Sequence, residues 1–194
     1  MLLRVFLLGV LAIIPAALIE YSADYMIRFS SSADFSRILI GMLFIVAPIE
    51  EYCKYLVVKK FVYDKGKFDE AFDGIIYAIV ASLGFASFEN VLAIFTKGVD
   101  ILLLRFITAT LLHALTAGVI GYFLGLARFH KEREHVLIAQ GLIAAIAIHG
   151  LYNIILAIDT PFTFALIVLL LGVIYLMVAG GIKELKMRDD RVLG

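Results

Sequence analysis

Residues 36–60, SRILIGMLFIVAPIEEYCKYLVVKK, form the stretch that decides how this chain folds. The stretch is long and apolar enough to cross a bilayer, yet its second half carries Glu50, Glu51 and Lys54. A charge at the centre of an inserting helix costs about 2.5–3.5 kcal/mol, whereas each Leu, Ile, Phe or Val returns only about 0.3–0.6 kcal/mol. Charged side chains kept at that cost indicate a functional site inside a membrane-embedded bundle.

The composition of the whole chain agrees with a membrane protein. Of its 194 residues 63% are hydrophobic and 18% are charged, and the mean hydropathy is +1.01. This predicts a single domain over residues 1–194, embedded in the cell membrane as a multi-pass integral protein. The formal net charge is zero, so no basic surplus favours nucleic acid and we expect no such partner. The one cysteine, Cys53, cannot form an internal disulfide.

Hydropathy divides the chain into about six spans, each near the length of about 20 residues that a bilayer core requires. They cover residues 2–19, 36–60, 74–95, 101–127, 136–157 and 162–182. The predicted fold is therefore an all-α, polytopic transmembrane helical bundle, with a motif-bearing core at about 36–157 and a charged tail at 183–194. The first run also resembles a signal peptide, with Pro15 near a cleavage site, but its length favours a span.

Lys and Arg are concentrated on one side of the predicted bundle. That side holds Arg4, Lys59, Lys60, Lys65, Lys67, Arg128, Lys131, Arg133, Lys183, Lys186, Arg188 and Arg191. The opposite side holds Arg28, Arg37, Lys97 and Arg105. Because cytoplasmic loops carry the excess of Lys and Arg, both termini are expected in the cytoplasm.

Further polar residues lie in the later spans: Glu89, Asn90, His113, His149 and Asn153. Each histidine belongs to a stripe of small residues at a spacing of four, namely His113, Ala117, Gly121, Gly125 and Gly141, Ala145, His149, Asn153. Small residues at this spacing mark where transmembrane helices approach each other closely. Both imidazoles are therefore expected to point into the bundle, where partners can satisfy them.

Carboxylates and imidazoles in a shielded cavity can activate water, either bound to a metal or directly by general base catalysis. Asn153 is placed to donate to a developing oxyanion, so the set indicates hydrolase chemistry. Glu50 and Glu51 are adjacent and point about 100° apart on a helix. One of the two is expected to act on chemistry while Lys54 or a neighbouring helix holds the other. The HExxH, GxSxG and GxGD signatures of familiar intramembrane proteases are absent.

Two other classes of function use the same residues. Buried Glu, Lys and His also form proton relays, so a proton- or ion-coupled transporter is the main alternative. Such transporters commonly contain internal repeats, and neither PIEEYCK nor SFENV occurs a second time. A scaffold or immunity-type protein with an inactive site is a third interpretation, and it predicts that Glu50→Gln leaves function intact.

Four segments resemble the motifs of one known family. They are PIEEYCKY, FDEAFDGIIYAIVASLGFASFENVLAIF, LLHALTAGVIGYFLGLA and AIHGLYNIIL. These correspond to EExxK, FxxxEN, a histidine ahead of a glycine-rich helix, and HxxxN, in order along residues 48–155. In these motifs the chain resembles the PrsW family of intramembrane proteases, which belongs to a wider superfamily with the CAAX prenyl proteases and bacteriocin-processing enzymes.

The resemblance implies endopeptidase activity on a membrane-embedded protein substrate, such as a single-span anti-sigma factor. It makes Glu50 the leading candidate for water activation, with Glu51 in support. Glu89 would contribute a carboxylate to the water or metal site. His149 and Asn153 match the pair that stabilises the oxyanion in prenyl-protease relatives.

Whether a metal takes part stays open from the sequence. His113, His149 and either Glu50 or Glu89 suit a catalytic zinc with an open water position. Without zinc, Glu50 and Glu89 would share the polarisation of water. We favour zinc because His113 otherwise lacks a catalytic role. Lys54 and Asn90 are assigned as structural support, and the sequence does not predict an oligomeric state.

Overall fold

The structure, a computed structural model, describes residues 1–32, 34–65, 68–97, 102–158 and 160–193. Within these ranges the chain is helical and contains no β-strand. The helices are α1 Leu2–Ile27, α2 Phe35–Gly41, a π-helical segment Met42–Val46, α3 Ala47–Phe61, α4 Asp73–Lys97, α5 Leu102–Phe129, α6 Glu134–Ile158 and α7 Thr163–Leu193. The predicted all-α bundle is confirmed.

The described helices also account for the predicted spans. Five of them, α1, α4, α5, α6 and α7, are long and apolar enough to cross a membrane. The remaining predicted span corresponds to the run from α2 through the π segment to α3, which is helical from residue 35 to residue 61; that this run crosses the membrane stays a prediction. The four middle spans begin and end within two residues of the predicted bounds.

Two predicted helix ends are wrong. α1 was expected to end at Ile19 and continues to Ile27, and α7 was expected to end at Ile182 and continues to Leu193. Hydropathy locates the part of a helix that contacts lipid, whereas the helix itself ends only where its backbone hydrogen bonds stop. The charged segment expected at 183–194 is therefore a helical extension of α7 as far as Leu193.

Glycines allow the helix backbones to meet at two interfaces. A Cβ on Gly9 of α1 would overlap the carbonyl of Ala81 on α4. A Cβ on Gly121 of α5 would likewise overlap the carbonyl of Gly74 on α4. Small residues let transmembrane helices approach this closely, so α4 lies between α1 and α5.

The two small-residue stripes that contain the histidines face the bundle, as predicted. On α5, Ala117 is buried and Gly121 packs on α4. On α6, Gly141 packs against Phe123 of α5, and Ala145 is fully buried. Both imidazoles consequently point inward.

The π segment sets the direction of α3. The N–H of Ala47 donates to the carbonyl of Met42, five residues earlier, in place of the usual four. Pro48 follows and has no N–H to donate. Leu43 in this segment packs against Gly150 of α6. This contact places the start of α3 beside the histidine-bearing face of α6.

An ion-pair network ties the far end of α3 to the start of α6. The Lys59 ammonium lies 2.9 Å from Asp64 and 3.0 Å from Glu134, and it covers the ring of Tyr63 at 4.0 Å. Burial, together with the Glu134 carboxylate, raises the pKa of the Tyr63 phenol to about 12, so this ring stays neutral. The two helices are thus fixed at both ends.

Candidate functional site

The ionisable residues of four helices meet in the interior of the bundle. α3 contributes two glutamates and Lys54, α4 contributes Glu89, α5 contributes His113 and α6 contributes His149. Lys54 and both histidines are buried, and Glu89 is half-buried. The structure therefore brings together charged residues that lie far apart in the sequence.

Glu51 has the most hydrogen bonds in this cluster. Its Oε1 accepts from the Lys54 ammonium at 2.7 Å, from Nδ1 of His149 at 2.7 Å and from the Thr116 hydroxyl at 3.2 Å. The side chain is fully buried. An oxygen surrounded by three donors is held in place, so Glu51 positions the groups around it.

Glu50 lacks the contacts that hold Oε1 of Glu51. Its Oε2 is buried and has no hydrogen-bond partner among the described residues, which is also true of Oε2 of Glu51. Oε2 of Glu50 lies 3.9 Å from the Lys54 ammonium, 4.0 Å from Nδ1 of His113 and 3.9 Å from Nε2 of His149. These separations are too long for direct hydrogen bonds, and each leaves room for one bridging atom.

Each histidine is oriented by a carboxylate. Nδ1 of His149 donates to Glu51, so Nε2 keeps its lone pair and faces Glu50. Nε2 of His113 donates to Glu89 at 2.7 Å, so Nδ1 keeps its lone pair and faces Glu50. This tautomer assignment follows from carboxylates being acceptors. Both unprotonated nitrogens thus lie 3.9–4.0 Å from the same oxygen.

Glu50, His113 and His149 form a group that could hold a metal ion, since one ligand atom from each lies within 4.8 Å of the others. Two imidazoles and one carboxylate are a known ligand set for catalytic zinc, and metal-binding histidines commonly donate their second nitrogen to a carboxylate. The donor set therefore fits zinc. One contact competes with it, because the Lys54 ammonium lies 2.9 Å from Nδ1 of His113.

Two predicted site residues lie at the edge of this cluster. Asn90 is buried and donates to the Thr110 hydroxyl at 3.0 Å, which links α4 to α5. Asn153 is half-buried on α6, four residues after His149, and makes no hydrogen bond within the described part of the chain. Glu89 contacts His113 and lies outside the group of three metal-ligating candidates.

One residue of this region, Glu20, was not predicted from the sequence. It lies on α1, and it interacts electrostatically with Glu89, Lys54 and Glu50. Because the first span was predicted to end at Ile19, Glu20 was placed in a loop. Continuing the first helix beyond its apolar run would have brought Glu20 into the predicted site.

Comparisons with known proteins agree with the geometry of the site. The model of a family described as "PrsW family intramembrane metalloprotease" matches residues 1–179. The chain belongs to the PrsW family. This match covers α1 to α6 and about half of α7, so it includes every helix that contributes to the charged cluster.

Relatives named "Protease PrsW" match most of the chain. The Oceanobacillus iheyensis protein is 34% identical over 166 residues, which cover 86% of this chain and 74% of that protein. The Bacillus subtilis protein is 34% identical over 157 residues, covering 80% of this chain and 69% of the relative. The Clostridioides difficile protein is 27% identical over 183 residues, covering 90% and 74%. No solved structure matches the chain.

Membership of the PrsW family settles the class of protein. The chain is a protease and a multi-pass integral membrane protein, and PrsW proteins act as intramembrane proteases. The comparisons therefore favour the protease over the proton- or ion-coupled transporter that uses the same residues. The wider superfamily with prenyl proteases stays a prediction.

Proposed function

We propose that this PrsW-family protein hydrolyses a peptide bond of a membrane-embedded protein substrate by activating water at Glu50. One observation carries the proposal: the buried Oε2 of Glu50 has no hydrogen-bond partner among the described residues and lies 3.9–4.0 Å from an ammonium and two imidazole nitrogens. A water molecule bound there would donate to Glu50 and be held by its neighbours.

Glu50 acts as the general base and then as the general acid. It takes a proton from the water as the oxygen attacks the scissile carbonyl carbon, and it returns that proton to the amide nitrogen that leaves. Burial excludes competing water, so the proton passes between the carboxylate and the reacting atoms. Glu50 is thus the residue whose removal should stop the reaction.

The neighbouring carboxylates hold the imidazoles in place. Glu51 fixes His149 through Nδ1, and Glu89 fixes His113 through Nε2. We infer that Asn153 donates to the oxyanion that forms on the scissile carbonyl, since it lies on α6 next to His149 without a protein partner among the described residues. With its Nε2 lone pair facing Glu50, His149 suits metal binding better than donation to that oxyanion.

We propose zinc as the metal that His113, His149 and one carboxylate oxygen of Glu50 hold, so that the other oxygen of Glu50 would then act as the base. When bound, zinc would lower the pKa of the water and polarise the scissile carbonyl. Lys54 must then leave Nδ1 of His113 while keeping its contact with Glu51. If no metal binds, the Lys54 ammonium keeps its place on His113 and helps to orient Glu50.

The proteolytic reaction is testable with purified protein in liposomes and a single-span reporter that resembles an anti-sigma-factor-like regulator. We expect cleavage by the wild type and loss of cleavage by Glu50→Gln, Glu89→Gln and His149→Ala, with membrane insertion unchanged. Full activity in all three variants would contradict the assignment of the site.

The metal is testable independently of the substrate. We expect elemental analysis to find about one zinc per chain, bound less in His113→Ala and His149→Ala, because two of three protein ligands are imidazoles. A chelator should remove both the zinc and the cleavage activity, and added zinc should restore them. A fully active, metal-free preparation would eliminate the zinc mechanism and leave Glu50 as an unassisted base.

A further inference from the structure

Glu20 reaches the charged cluster from a helix that contributes no other residue to it. It lies seven residues before the end of α1, and its side chain is half-buried. Its Oε1 is buried and accepts no hydrogen bond within the described part of the chain. A buried acceptor without a donor is unfavourable, so this oxygen is suited to receive a donor from outside the protein.

An apolar groove lies beside Glu20 on the surface of the bundle. The groove has a volume of about 310 Å³. Its lining residues come from α1, α3 and α6 and are Ile19, Pro48, Ile49, Tyr52, Cys53, Leu142 and Ile146. Ile19 directly precedes Glu20, and the Cys53 thiol interacts electrostatically with both Glu20 and Glu50. Cys53 therefore links the groove to Glu20 and to the charged cluster.

Acidic side chains outnumber basic side chains around the site. Glu20, Glu50, Glu51 and Glu89 face a single ammonium, that of Lys54, among the described residues. A bound divalent ion would still leave one formal negative charge. Glu51 pairs with Lys54 at 2.7 Å, and Glu89 pairs with His113. Glu20 has no such partner in the described structure, so it is the carboxylate best placed to attract an external cation.

We propose that Glu20, beside this groove, forms a subsite for a basic side chain of the substrate. The proposal rests on the proposed intramembrane proteolysis, because the occupant of the groove is the membrane-spanning segment of the protein to be cleaved. The apolar side chains of that segment contact the groove, while its Lys or Arg reaches Glu20. Glu20 is accordingly a residue that determines specificity and takes no part in bond cleavage.

The test measures binding separately from cleavage. The full-length Glu50→Gln protein in liposomes is titrated with fluorescent single-span peptides that carry one Lys, or one Gln as a control, at successive positions. We expect one Lys position to improve the dissociation constant about tenfold over Gln, as for close charge pairs in other interfaces. Adding Glu20→Gln should remove this preference, and Glu20→Lys should transfer it to a Glu-containing peptide.

Asp24→Asn is the matched control, because Asp24 lies one turn further along α1 and already accepts hydrogen bonds from Ser30. It should leave the preference for Lys unchanged. The proposal is overturned if no Lys position binds more tightly than Gln, if the folded protein binds no peptide, or if the preference survives in Glu20→Gln.

Cleavage by the otherwise wild-type protein separates this proposal from the proposed function. If the Lys and Gln peptides are cleaved with equal kcat/KM, the Glu20 subsite is refuted and the proposed protease activity stands. If the Lys peptide binds tightly in a Glu20-dependent way but is not cleaved, the subsite stands and the proposed protease activity is refuted. In a working enzyme, Glu20→Gln should raise KM for the Lys peptide and leave kcat nearly unchanged.

Discussion

At the scale of single residues, the most informative contrast is between the two adjacent glutamates. Both are buried and both have an Oε2 without a hydrogen-bond partner among the described residues, yet Oε1 of Glu51 accepts three hydrogen bonds. Successive residues on a helix point about 100° apart, which allows neighbours to have such different surroundings. Glu51 is thus anchored by its neighbours, and the proposed mechanism assigns the reactive role to Glu50.

This contrast predicts opposite consequences for the same substitution. Glu50→Gln should lower cleavage about 100-fold or more, the usual contribution of a general base. Its unfolding temperature should hardly change, because Oε2 makes no hydrogen bond within the described structure. Glu51→Gln should destabilise the protein by about 3 kcal/mol, since it removes one charge of a buried pair.

Thermal unfolding in detergent and cleavage of the reporter, measured on both variants, provide the check. Glu51→Asp serves as a control that keeps the charge while shortening the side chain. Equal losses of stability in Glu50→Gln and Glu51→Gln would show that the two residues are not divided in this way.

At the scale of helices, the π segment Met42–Val46 is the feature that directs Glu50. It adds one residue to the helical path just before α3, and such segments often occur at functional sites. Its contact with Gly150 brings α3 against α6. The orientation of Glu50 thus depends on a local departure from α-helical geometry.

Inserting one Ala between Val46 and Ala47 should undo that adjustment. The added residue rotates the part of the helix that carries Glu50 by about 100° against the part that packs on Gly150, because each residue of an α-helix turns it by that angle. We expect a protein that enters the membrane but no longer cleaves the reporter, as measured by membrane fractionation and a cleavage assay. Phe44→Ala is the control, because this side chain is 70% exposed and its removal leaves the backbone path intact. An active insertion variant would show that the helical rotation set by the π segment has no part in positioning Glu50.

The sequence predicted the positions of the helices better than the roles of single residues or the π segment within them. Hydropathy identified six spans because lipid requires a long apolar surface, and the buried charges identified the site because they are costly there. It missed Glu20, since α1 continues for a polar stretch beyond Ile19. It also left the roles of Glu50 and Glu51 undecided, because those roles depend on which neighbouring helix each side chain meets. The π segment carries no local signature that predicts it.

At the scale of the whole molecule, the distribution of Lys and Arg predicts the orientation in the membrane. Twelve of these residues lie on the side that holds both termini and four on the opposite side. Both termini should accordingly face the cytoplasm. Six crossings would agree with this arrangement, namely the five helices that are long and apolar enough to cross a membrane and the run from α2 to α3.

Epitope tags test the orientation directly. Tags at either terminus should be cut by an added protease in inverted vesicles and protected in intact cells, because Lys- and Arg-rich ends stay in the cytoplasm. A tag in the connection between α6 and α7 should show the reverse pattern and serves as the control. Protection of only one terminus would mean an odd number of crossings and would refute the six-span bundle.

The hydrogen bonds that hold Glu51 have a consequence for biosynthesis. They join α3 to His149 on α6 and to Thr116 on α5, so the arrangement around Glu50 exists only after α6 has packed against the earlier helices. A chain that has inserted only as far as α5 lacks the His149 imidazole, and its Glu51 lacks one of its three donors. If the proposed site is correct, the nascent polypeptide should therefore be inert toward neighbouring membrane proteins until α6 has crossed the bilayer and docked.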